Sequence, residues 1–434
     1  MLNKDIVLVT LNYRLGSIGF LSTEDSLVPG NMALKDQTLA LSWVKQNIQN
    51  FGGDPNRVTI FGESAGASSV HMQIITPHSD GLFQRAIMQS GNALCPWAMG
   101  ESHLSNTKKL ATDLGCTQVD DSQTMIECLQ TVSLEELMLK YANTTLPYGE
   151  HPNMWGPRVD GDYVPAAPEV LLKEGRFKGV DIIAGINSHE GASFAGVYFM
   201  SPDGLSDFND NFDNLAPVTL EIRQQEDNPL GIARAAFDFY IGYNESVAQH
   251  DADKVTQLYS DRQFIVPHEL VSKFTVKHKP ERSLFLYQLD HRGQRSFASY
   301  FEGYGDHWVD HGDDVFYFFE GGSGFTSETF DQIPMSETDL KIRDELTTMW
   351  YNFAMTGNPT PDDNLGFVWS PTYHNLEYLS MGSPMSMTQD PSREWIRNFW
   401  TSLPTRQNRL LYPEKVKELK VKKIGFLLSC WCFL

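Results

Sequence analysis

Ile60-Phe61-Gly62-Glu63-Ser64-Ala65-Gly66-Ala67-Ser68 reads as the end of a strand, a Gly-x-Ser-x-Gly turn and the start of a helix. Val58-Thr59-Ile60-Phe61 supplies the β-branched and aromatic run of a buried strand. Beyond the turn, Ala65 to Ile75 carries few helix breakers. A serine on such a turn is held in a strained backbone conformation and stands out over the end of the sheet. Gly62 and Gly66 are expected because a side chain at either position would collide with the neighbouring strand and helix. The bland alternative is a Gly/Ser-rich loop without chemistry. What decides between the two is whether the chain also supplies a base and an acid.

Outward from this turn the pattern alternates. Asp5 to Leu11 has the composition of a buried strand, and a helix is expected over about Asp36–Asn50. Leu39, Trp43, Val44, Ile48 and Phe51 recur at helical spacing and predict its buried face. Gly52-Gly53-Asp54-Pro55 ends it, and Arg85 to Gly91 is the next strand. Residues 101–141 read as helices, with Ser133 and Glu136 spaced as a capping box. Val180 to Gly185 is another strand, 201–230 an irregular Asp- and Asn-rich excursion, and Ser283 to Leu289 the last convincing strand. A long helix from Glu337 to Thr356 stops at Gly357-Asn358-Pro359. The β-α-β-α-β order predicts an α/β fold with a mostly parallel sheet between helices. We expect one domain over residues 1–423 and a separate apolar tail over 424–434.

Composition narrows the function. A net charge of −21 leaves no basic surface for nucleic acid and disfavours anionic membranes. The tail is shorter than the ~20 residues a membrane span requires, so membrane association is not expected. The five cysteines form no zinc pattern. Cys116 and Cys128 close a short loop that a disulfide can join in an oxidising compartment, and Asn143 and Asn244 begin glycosylation sequons. Met1 runs straight into strand-like sequence with no signal peptide.

A serine hydroxyl needs an imidazole to take its proton, and the imidazole needs a carboxylate to orient it. In an open α/β sheet such groups collect after the carboxyl ends of strands. Glu190 follows the Val180 strand and His311 follows the Ser283 strand, in the order serine, acid, histidine. Each has a rival reading, Glu190 as a solvated loop carboxylate and His311 as a structural histidine. His71 and His78 compete as the base, although His71 is expected to be packed inside the helix. His307 and His311 also have the i, i+4 spacing of a metal pair, but no third ligand or His-Glu-x-x-His pattern accompanies them. No metal and no cofactor is expected.

At these residues the chain resembles the type-B carboxylesterases, the group that includes cholinesterases and insect carboxylesterases. The similarity rests on Phe51 through Pro55, Phe61 through Ala67, Gly81 through Gly91, Val159 through Pro165, His311-Gly312-Asp313-Asp314 and Asn352 through Pro359. It implies an α/β-hydrolase fold acting on a small-molecule carboxylic ester. Ser64 is implied as nucleophile, His311 as general acid/base and Glu190 as orienting acid. Glu63, Ser90 and Asp314 are implied as hydrogen-bonding residues around them, Trp97 as part of the acyl pocket, and Cys116–Cys128 as a disulfide. The resemblance further implies a secreted or extracellular parent. It also implies a longer N-terminal part holding edge strands and a His-Gly-Gly-Gly loop with two of three oxyanion-hole donors. The third donor is the backbone N–H of Ala65. One lost donor typically costs ~10²–10³ in rate, so weak turnover is expected of residues 1–434 alone. Adhesion proteins of the cholinesterase type are the alternative; they usually lose a member of the triad, whereas this chain keeps all three.

Overall fold

The computed structural model describes residues 2–142, 155–199, 202–223, 225–242, 246–300, 305–319, 333–389 and 393–419. Asn143, Asn244 and the tail 424–434 lie outside them. Six strands, β1 (Thr59–Glu63), β2 (Arg85–Gln89), β3 (Asp181–Asn187), β4 (Leu284–Leu289), β5 (Tyr378–Met381) and β6 (Ser386–Thr388), form one sheet in that order. All neighbours run parallel except β5 and β6. Parallel strands are covered on both faces and therefore read as continuous apolar runs. Successive side chains point to opposite faces. Ala86, Met88, Ile182, Ala184, Leu284 and Leu286 accordingly enter one core. Ile87, Ile183, Phe285 and Tyr287 enter the other, against Trp350 and Phe353 of helix Glu337–Thr356. That helix has the boundaries expected: Ser336 and Asp339 form a capping box, and Gly357 ends it at φ 83°.

Four expectations are corrected. Asp5 to Leu11 pairs with nothing among the described residues, and Val7, Val9 and Leu11 are exposed. An apolar run becomes a strand only when a neighbour satisfies its backbone, and no described strand lies beside this one. The helix Met32–Asn47 does form, but its buried stripe is Leu34, Gln37, Leu41, Val44 and then Ile48. Leu39, Trp43 and Phe51 are exposed instead, at 71%, 48% and 61%. The helix is apolar on two sides and the body of the protein covers only one, so periodicity alone could not choose the face. Within 201–230, Pro202–Asp210 and Phe212–Thr219 are helices rather than an irregular excursion. Their polar residues face outward while Phe208 and Phe212 pack on Phe237, so burial overrode composition. Finally, β5 and β6 continue the sheet past β4; each is too short to carry a period of its own.

Cys116 and Cys128 are joined in a disulfide, and the Ser133–Glu136 capping box is formed through reciprocal 3.2 Å bonds. The disulfide closes a loop of sequence separation 12, tying the segment after helix His103–Asp113 to Cys128 within helix Ser122–Leu129. Replacing both cysteines by serine should lower stability by about 3 kcal/mol through the freed unfolded chain. Denaturant titration of the double variant measures this.

Candidate active site

Three strand ends deliver the site. β1 runs directly into Ser64, which sits at φ 57°, ψ −121° at the head of helix Ala65–Ile75. A serine at positive φ is costly and persists only where surroundings hold it. Here its N–H donates to the Gln89 carbonyl at 2.8 Å, tying the turn to the end of β2. A Cβ on Gly62 would lie 2.5 Å from the Gly66 backbone, as expected for a strand crossing close to its helix. Gly66 differs from expectation, because nothing lies within 4 Å of the side chain it lacks. The second obligatory glycine is Gly91, where a Cβ would stand 2.3 Å from the Ser64 carbonyl oxygen.

Beyond β3, Glu190 is fully buried and its Oε1 accepts the Asn187 N–H at 2.7 Å. Beyond β4, the loop carrying His311 is fastened to the Glu190 loop. His189 N–H donates to the Val309 carbonyl at 3.0 Å, and the Asn187 amide to the Asp310 carbonyl at 2.7 Å. These ties bring His311 Nδ1 to 2.7 Å from Glu190 Oε2, and His311 Nε2 to 2.8 Å from Ser64 Oγ. The buried carboxylate fixes the proton on Nδ1, which leaves Nε2 as the acceptor facing the hydroxyl. Ala65 is exposed at the first position of its helix, where backbone N–H groups have no intrahelical acceptor.

The remaining candidates are sorted by contact. Glu63 Oε1 lies 3.2 Å from His311 Nε2 without hydrogen-bond alignment. Asp314 accepts from Gln89 at 2.8 Å and from the Tyr287 hydroxyl at 2.9 Å. Ser90 is fully buried at φ 56°, and its hydroxyl has no hydrogen-bond partner among the described residues. Trp97 donates its indole N–H to the Gln263 carbonyl at 3.2 Å and packs against Phe264 at 5.6 Å. His71 is buried, accepts from the Ala93 N–H at 3.0 Å and is pushed down to about 3 by burial. His78 stacks on Tyr163 and bonds Asp162, away from the serine. His307 pairs with Asp253 at 3.1 Å and is not brought to a shared ligand position with His311. Among the described residues no three His, Cys, Asp or Glu side chains converge on a metal position.

Phe194 and Phe264, whose rings lie 6.5 and 4.5 Å from the imidazole, were not foreseen. Phe194 lies in the first turn of helix Ala192–Phe199, directly after the Glu190 loop.

Burial opposes a charge on His311, but the Glu63 and Glu190 carboxylates outweigh it and raise the imidazole well above its ordinary range. Burial pushes Glu63 up to about 7, against the pull of His311. Because Nε2 accepts a proton only when neutral, reactivity should rise with pH as His311 deprotonates. Glu63→Gln removes one of the charges holding the proton on, so the acid limb of the pH–rate profile should move to lower pH. A limb that stays in place, or moves up, would contradict this assignment of the field.

A comparison with protein-family models matches residues 1–400 to the carboxylesterase family. A carboxylic ester hydrolase of Bombus ignitus is 32% identical over 423 residues, covering 94% of this chain and 73% of that protein. Juvenile hormone esterase of Tribolium castaneum is 33% identical over 388 residues, 85% of this chain and 64% of its own length. Mouse neuroligin-2 is 35% identical over 365 residues, 82% of this chain and 41% of its own length. With the family match spanning most of its length and a mostly parallel sheet presenting Ser64 at a strand–helix turn, this chain belongs to the carboxylesterase family.

Proposed function

We propose that the chain is a serine carboxylic-ester hydrolase working through an acyl-enzyme at Ser64. The observation that carries this reading is the continuous Ser64–His311–Glu190 hydrogen-bond array, 2.8 Å on one side of the imidazole and 2.7 Å on the other. Ser64 Oγ attacks the ester carbonyl carbon while its proton passes to His311 Nε2. The tetrahedral oxyanion forms beside the Ala65 N–H, at the positive end of helix Ala65–Ile75. His311 returns the proton to the departing alcohol. Water then attacks the acyl carbon, again through Nε2, releasing the carboxylic acid and free Ser64. Glu190 keeps the imidazole oriented and stabilises its positive form throughout.

The similarity to neuroligin-2 favours a second reading, a binding module without turnover. The assembled array speaks for the hydrolase, because a module that only binds has no need of a serine at φ 57° aimed at an imidazole. Mixing the chain with a p-nitrophenyl ester discriminates the two. The hydrolase should release nitrophenolate at the weak rate expected of residues 1–434, and Ser64→Ala should abolish that release; release unchanged in Ser64→Ala, or none from either protein, contradicts it.

An extracellular site of action is part of the proposal. It is supported by the Cys116–Cys128 disulfide and by similarity to venom carboxylesterase-6 of Apis mellifera, 30% identical over 421 residues. No helix among the described residues is long and apolar enough to cross a membrane.

A further inference from the structure

Helices Ala252–Ser260 and Val266–His278 are joined by a π turn, Asp261–Ile265, without a break in the helical rod. A π turn inserts an extra residue and is retained mostly where the bulge serves a site. This one is anchored on three sides. Asp261 accepts from Tyr240 at 2.6 Å and from Gln257 at 2.9 Å. The half-buried Arg262 guanidinium donates to the carbonyls of Leu220 and Glu221 at 3.0 and 3.2 Å, and the Gln263 amide donates to the Thr219 carbonyl at 3.0 Å.

Between those anchors the turn presents two groups to the serine. Phe264, 2% exposed, lays its ring 4.5 Å from that of His311, tilted by 35°. Its other neighbours are Trp97 at 5.6 Å and Phe194 at 6.0 Å. The Gln263 carbonyl accepts the Trp97 indole N–H. Pro267, four residues on, has no N–H with which to claim that carbonyl for an ordinary helical bond. Trp97 in turn borders the nucleophile, since a Cβ on Gly91 would touch both the Ser64 carbonyl and Trp97 Cη2, at 2.3 and 3.1 Å.

We propose that the π turn is a positioning element for the base. Phe264 holds the His311 ring in line with both Ser64 and Glu190, and the same turn fixes Trp97, so that imidazole alignment and the apolar wall beside the serine are set by one segment. The imidazole needs this support. Its two hydrogen bonds lie in the plane of the ring and leave tilting about the Nδ1–Nε2 line unopposed, whereas an aromatic ring packed on its face resists that motion. This inference rests on Ser64 being the nucleophile.

The test compares covalent labelling of Ser64 by a fluorophosphonate in the full chain and four variants. Phe264→Leu should label about ten-fold or more slowly, with probe affinity changed far less, since the defect lies in alignment rather than binding. Phe264→Met, which keeps volume without the ring, should behave likewise and serves if the leucine variant folds poorly. Phe264→Tyr should restore most of the rate. Phe285→Leu trims an equally buried ring on the other face of the sheet, against Phe353 and Trp369, and should lower stability without slowing labelling. The charged groups facing His311 are Glu63, Glu190, Asp310 and Asp314, and none is altered. The acid limb of the labelling profile should therefore move to higher pH in Phe264→Leu, as the imidazolium regains hydration. Wild-type rate and pH profile in Phe264→Leu and Phe264→Met, or equal slowing by Phe285→Leu, would overturn the proposal. Absence of labelling in the wild-type chain would instead remove the nucleophile assignment on which it rests.

Discussion

His311→Ala should slow both fluorophosphonate labelling and ester hydrolysis by about 10⁴-fold or more, with little change in substrate affinity. The size follows from the geometry: Nε2 is the only side-chain acceptor placed at 2.8 Å from Ser64 Oγ among the described residues. Without it the hydroxyl must lose its proton to water at neutral pH. Glu63 is not a substitute, because its Oε1 lies 3.2 Å from the imidazole and has no hydrogen-bond partner among the described residues. Glu190→Ala should act through the same step with a smaller loss, since the imidazole would remain but lose its fixed tautomer. Stopped-flow labelling of the two variants beside Ser64→Ala checks the ranking. Equal losses in Ser64→Ala and His311→Ala, with no further loss when both are combined, would mark them as one unit.

Gly91→Ala should be among the most damaging single-atom insertions in the protein. Its new methyl group would lie 2.3 Å from the Ser64 carbonyl oxygen and 3.1 Å from the Ser64 carbonyl carbon. Both are backbone atoms at a residue already at φ 57°, so relief requires moving the peptide that carries Ser64. A cost of about 2–4 kcal/mol in stability is expected from overpacking against backbone. A labelling loss beyond about 10²-fold should accompany it, because a displacement near 1 Å suffices for that. Gly66→Ala provides the contrast. With open space at its Cβ and a place in a helix's first turn, it should be neutral or stabilise by up to about 1 kcal/mol. Thermal melts of the pair separate the two glycines that the sequence motif treats alike.

That contrast shows what was legible in the sequence. The Gly-x-Ser-x-Gly turn identified the strand, the helix and the serine, but a motif records residue types and not which glycine is pressed against backbone. Glu190 and His311 were readable because strand ends in an α/β sheet converge, so position after a strand predicts proximity across 121 residues of separation. Phe264 was not readable. It belongs to a helical rod by composition, and nothing in its spacing announces the π turn in which it sits, 4.5 Å from the imidazole. The exposed Leu39 and Trp43 were misread for a related reason. Helical periodicity reveals a stripe, but the rest of the fold decides which stripe is covered, and this helix has two. Strands β5 and β6 escaped because four and three residues carry too little pattern without their neighbours.

Every proposed step depends on Ser64 being a nucleophile activated by His311. Treating the intact chain with a fluorophosphonate and locating the adduct by peptide mass spectrometry tests this most directly. One phosphonyl group on Ser64, formed faster as pH rises and absent in Ser64→Ala, is the result the structure predicts. No adduct across the pH range, or an adduct on another residue that forms equally in Ser64→Ala, would contradict it.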